Sequence, residues 1–96
     1  MAFIRVQKLV RDSSGNIISG SAAIKESRYI KDGGKFHSRQ IVRERLGKVV
    51  WLSDDGKSGI FLSPKRGLVF YDSASDRFDE VERDDARLSS ALEVFP

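Results

Sequence analysis

Cysteine is absent from the chain, which excludes disulfides, thiolate metal sites and thiol catalysis. Histidine occurs once, at His37, so no imidazole cluster or histidine relay can be assembled and a nucleophilic triad has little to draw on. A long apolar run is also lacking. The opening residues Met1 to Lys8 break into charge at Arg5, and they read as neither a signal peptide nor a membrane span. No membrane partner and no cofactor are expected, and a reducing, cytoplasmic location fits the missing cysteines.

What remains is ordinary for a small folded domain. The 96 residues amount to one domain, with 40% hydrophobic and 32% charged residues. The net charge of +3 is mild, but its distribution is not. Residues 1–52 hold 11 Lys and Arg against four Asp and Glu, a balance of +7, whereas residues 53–96 carry −4. A basic half joined to an acidic half points to a polyanion-binding front end.

Turn chemistry recurs every ten to fifteen residues, at 12–16, 32–34, 53–56, 63–67 and 73–76. The intervening runs are rich in Ile, Val, Phe and Tyr. This predicts a mainly β fold: a small antiparallel meander of hairpins, as an open sheet or partial barrel. Strands are expected near 3–10, 22–31, 35–46, 49–52, 60–62, 68–71 and 77–81. Residues 1–83 form the expected single β domain, with a basic three-stranded meander over 1–50 and further hairpins over 51–83. Residues 84–96 are expected to be a helical turn or linker tail, with Leu88, Ala91 and Leu92 on one face of a weak helix.

The hairpin at Asp32-Gly33-Gly34 admits two registers. A two-residue Gly-Gly turn pairs Lys31 with Phe36 and mixes apolar and charged residues on both faces. A three-residue loop, with Gly34 left-handed, brings Ile30 to Phe36 and Ile24 to Val42. Burial should select the second, placing Ile24, Ile30, Phe36, Val42 and Leu46 on the buried side. The opposite face then carries Lys35, His37, Arg39, Arg43 and Arg45 from one strand, joined by Lys25 and Tyr29 from its neighbour. Cations at roughly 7 Å intervals suit successive phosphates of a nucleic-acid backbone, and Tyr29 and His37 could add stacking. The competing reading is a solvated outer face, although such faces usually mix signs.

Other features carry less. Gly56-Lys57-Ser58 resembles the end of a phosphate-binding loop, but Trp51 stands where its first glycine is required. Asp72, Asp76, Asp79, Glu80, Glu82, Asp84 and Asp85 lack the spacing of a calcium loop and read as a solvated acidic edge. Trp51, Phe61, Phe70, Tyr71 and Phe78 read as core. No constellation for catalysis or metal binding emerges, so the chain is expected not to be an enzyme by itself.

Phe3-Ile4-Arg5-Val6, the glycine turn, and Arg39-Gln40-Ile41-Val42-Arg43-Glu44-Arg45-Leu46-Gly47-Lys48 together resemble the N-terminal β-meander of insertion-sequence transposases with an RNase-H-like DDE core. Gly59 to Pro64 and Arg66 through Asp72 are similar to the segment preceding that core. The resemblance implies a non-catalytic N-terminal module of a mobile-element protein, with the catalytic carboxylates downstream of residue 96. Its implied partners are transposon-end DNA or another transposase subunit or domain. The alternative is a small β adaptor that binds a protein partner and has no nucleic-acid role.

Overall fold

The computed structural model describes residues 1–88. Six antiparallel strands follow one another in a single open sheet, in the order in which the chain visits them. They are β1 (Ala2–Arg11), β2 (Ile17–Asp32), β3 (Lys35–Leu52), β4 (Ser58–Ser63), β5 (Gly67–Asp72) and β6 (Arg77–Glu80). The fold is therefore the expected mainly β meander. The break expected between residues 46 and 49 does not occur, and β3 runs unbroken through it. Of the weak helix expected over 84–93, Ala86–Leu88 form one 3-10 turn, and 89–93 lie outside the described residues. Among the described residues no helix is long and apolar enough to cross a membrane.

Local chemistry sets the first turn. Asp12 Oδ1 accepts the backbone N–H groups of Ser14 and Asn16, both at 2.9 Å, so the carboxylate closes the loop that Gly15 bends. The second turn overturns the preferred register. Lys31 pairs with Phe36 and Asp32 with Lys35, leaving a two-residue loop in which Gly33 (φ +58°) and Gly34 (φ +81°) are both left-handed. That is the type I′ geometry, whose twist matches the flanking strands. Burial could not select the other register because, among the described residues, nothing covers this end of the hairpin. Every residue from 28 to 40 is exposed. Ile30 (40%), Phe36 (71%) and Val42 (53%), expected inside, face solvent, while Ile24 and Leu46 are fully buried as expected.

Two bulges in β3 reconcile the turn with the core. Lys25 pairs with Val42 but Ile24 with Glu44, and Ala23 pairs with Arg45 but Ala22 with Gly47. Arg43 and Leu46 are thus extra residues on β3, each shifting the alternation by one. The second shift turns Leu46 into the core beside Ala22, Ile24, Val49, Phe61 and Tyr71. Ile4, Val6 and Phe78 pack against this cluster, which defines the inner face of the sheet. On the outer face, Trp51, Ile60 and Phe70 share one cross-strand row. There the Arg87 guanidinium lies 5.2 Å from the Trp51 ring centroid and 4.9 Å from that of Phe70.

Beyond Ser27, whose N–H donates to the Met1 carbonyl at 3.4 Å, β2 and the start of β3 pair only with each other among the described residues. Residues 27–40 form a two-stranded ribbon projecting from a molecule 54 Å long and 27 Å wide. Since turn chemistry alone holds its register, Gly33→Asn should leave the pairing of Lys31 with Phe36 intact, because Asn-Gly is a preferred type I′ pair. Cross-strand nuclear Overhauser contacts should be unchanged, whereas Gly34→Val should weaken them.

Candidate nucleic-acid interface

Residues paired across antiparallel strands share a face, so the register sorts every side chain of β1–β3. The expected one-sided ladder divides. Lys35, His37 and Arg39 pair with Asp32, Ile30 and Arg28 and stand on the inner side of the ribbon. Lys25, Tyr29 and Arg45 stand on the outer side, Arg45 crossing over because of the bulge at Arg43. A single strict alternation along β3 is therefore wrong, for a physical reason: each extra residue reverses the faces beyond it.

Arg43 is withdrawn from any array. It sits at the bulge and donates to Asp76 in the β5–β6 turn, Nη1 to Oδ2 at 3.0 Å and Nη2 to Oδ1. Asp76 also accepts the Tyr71 hydroxyl at 2.7 Å. The Arg43 guanidinium, helped by that hydroxyl, holds the Asp76 carboxyl down at about 2. Burial first, then the hydrogen bond to Asp76, raises the Tyr71 phenol. Beside them Glu44 accepts Arg66 Nε at 2.7 Å and Nη2 at 2.9 Å, with Lys65 at 3.8 Å. The hydrogen bonds from Arg66 lower the Glu44 carboxyl. The Arg66 guanidinium covers the Phe78 ring at 3.8 Å, and Phe78 lies 4.8 Å from Tyr71. These contacts clasp the bulged part of β3 to the two later turns.

The clasp has a pH dependence. Asp76 titrates near 2 in the folded chain and near 3.9 when unfolded, so its stabilisation is complete above about pH 4 and is lost as the pH falls toward 2. Chemical denaturation of the parent and Asp76→Asn should show the parent more stable at pH 7, with the gap closing between pH 4 and pH 2. A gap that persists at pH 2 would contradict the clasp.

Charge sorting between the faces is the main finding at this site. Of the four carboxylates in residues 1–52, Glu26, Asp32 and Glu44 belong to the inner face and Asp12 to the first turn. Glu26 pairs with Arg28 there, at 3.3 Å. The outer face of β1–β3 carries Arg5, Lys25, Lys31, Arg45 and Lys48 and, among the described residues, no carboxylate. Arg5, Ala23 and Arg45 form one row across three strands, which sets the outer two backbones about 10 Å apart. Lys25 is two residues along, about 7 Å away. The short Ala23 side chain leaves a shallow depression bordered by Arg5, Gln7, Ser21, Lys25 and Arg45. Arg5, Lys25 and Arg45 make no ion pair among the described residues.

Sequence reasoning missed Arg5, Lys31 and Lys48. Alternation of Phe3, Arg5 and Gln7 against Ile4 and Val6 was the available signal for Arg5. Among the described residues, no three His, Asp or Glu side chains gather closely enough to hold a metal ion. The chain matches no family model, no curated protein and no solved structure.

Proposed function

We propose that this chain is a non-catalytic DNA-binding module of a transposase-like mobile-element protein, and that it holds duplex DNA against the outer face of β1–β3. The observation that carries the reading is the sorting of charge. An ordinary solvated face mixes signs, but here the carboxylates lie on the other face or in a turn, and Arg5, Lys25 and Arg45 are left unopposed. Such an array meets phosphates and positions the duplex without reading its sequence. The family part of the proposal rests on the resemblance noted above, whose phrase Arg45-Leu46-Gly47-Lys48 spans the second bulge.

Affinity is expected on the order of 10⁻⁴ to 10⁻⁶ M near physiological salt. Fluorescence anisotropy with a labelled duplex at several salt concentrations tests this. The logarithm of the binding constant should fall linearly with that of salt, by about 0.9 per phosphate contact. One observation favours the second reading, an adaptor for a protein partner: Tyr29, Phe36 and Val42 are exposed on the same face. Absence of duplex binding at low salt would give that reading the advantage.

A further inference from the structure

The ribbon holds two large aromatic rings that contacts to duplex phosphates leave unused. Tyr29 is 79% exposed and Phe36 71% exposed. Tyr29 pairs with Ser38 and Phe36 with Lys31, so the two rings are diagonal neighbours on the outer face. Diagonal neighbours on one face lie about 7–8 Å apart, roughly twice the 3.4 Å rise between stacked bases. Exposing two such rings side by side in water is unfavourable unless something covers them in use. Their surroundings restrict what that is. Lys31 Nζ lies 6.0 Å from the Phe36 ring centroid, and Lys25 continues the same face. Among the described residues the face carries cations and no carboxylate, which suits an occupant that is both anionic and flat.

We propose that Tyr29 and Phe36 form a stacking platform for unpaired DNA bases, with Lys31 and Lys25 holding the phosphates that follow. The proposal rests on the DNA-binding reading and extends it to a second substrate form. Base stacking on aromatic side chains beside a basic track is the general mode of single-strand binding, and it tolerates any sequence because every base has a π-face. A duplex keeps its bases stacked on one another and has none to offer. The platform therefore acts where strands part, at an end or a melted step. Both rings lie in the exposed stretch 28–40, so a strand can reach them on the outer face.

Anisotropy with a labelled oligothymidine of about ten nucleotides, run beside a duplex of the same length, tests the platform. Tyr29→Ala and Phe36→Ala should each weaken single-strand binding by about 5- to 100-fold and leave duplex binding unchanged. Tyr29→Phe should bind the single strand like the parent. Both sites are exposed on a ribbon remote from the core, and an unchanged amide spectrum outside residues 27–40 verifies that the fold survives. If both alanine variants bind oligothymidine like the parent, the platform is overturned and the rings are left for a protein partner. An equal loss on duplex and single strand also overturns it, because base stacking cannot act on a closed duplex. If the parent binds oligothymidine but not the duplex, the platform stands and the duplex reading falls.

Discussion

Replacing Arg5, Lys25 and Arg45 together by alanine should weaken duplex binding about a hundredfold at 0.15 M salt. Each phosphate contact contributes a salt exponent of about 0.9, which at that concentration is worth roughly fivefold, and three independent contacts multiply. The salt dependence should become shallower by nearly three. Folding should be little affected, since the three side chains make no ion pair among the described residues. The comparison variant is Arg43→Ala. Its guanidinium is held by Asp76 on the other face, so it should lose stability and leave the salt dependence as it was. Anisotropy across a salt series reads both. If Arg43→Ala flattens the dependence as much as the triple variant does, charge acts without regard to face and the sorting argument fails.

Gly47→Ala should cost the fold about 3 kcal/mol, lowering the melting temperature by about 12–24 °C in a domain of this size. Two effects combine. The residue has φ +78°, where a Cβ costs about 1–2 kcal/mol. Its Cβ would also meet the Leu62 carbonyl oxygen at 2.3 Å and Pro64 Cδ at 3.1 Å. That oxygen is backbone in β4, so relief requires parting β3 from β4 next to the Lys48–Leu62 pair. Gly15 separates the two contributions. It has φ +85° with nothing within 4 Å of a Cβ, and Gly15→Ala should lose only about 1 kcal/mol. Equal losses in thermal unfolding at both positions would mean that the close approach of β4 contributes nothing. The position also matters for the core, because the bulge beside Gly47 is what turns Leu46 inward.

These two residues mark where sequence patterning is informative and where it stops. Turn chemistry is local, so Asp12 with Gly15, Gly33 with Gly34 and the later clusters were visible as turns, and the strands between them followed. The hairpin register is not legible in the same way, because burial selects a register only where a core exists. At Ile24 and Leu46 a core exists and the expectation of burial holds, while at Ile30, Phe36 and Val42 the ribbon has left the sheet and the rule has no force. The bulges at Arg43 and Leu46 leave no period-2 signature, since each is itself the interruption of the period. Arg43 reads as a free ladder cation until Asp76, 33 residues away, is brought to it by the curl of the sheet. The one-signed outer face was half legible. An excess of cations in the first 52 residues is a matter of counting, but the placement of Glu26, Asp32 and Glu44 on the other face depends on the register.

Amide chemical-shift mapping on titration with an unlabelled duplex tests the account most directly, because it locates the contact without altering the protein. Shifts should concentrate on the outer-face residues Arg5, Ala23, Lys25 and Arg45 and their strand neighbours, leaving β5, β6 and the Asp76 turn unmoved. Shifts centred on Lys35, His37 and Arg39, or spread evenly over cations of both faces, would contradict it.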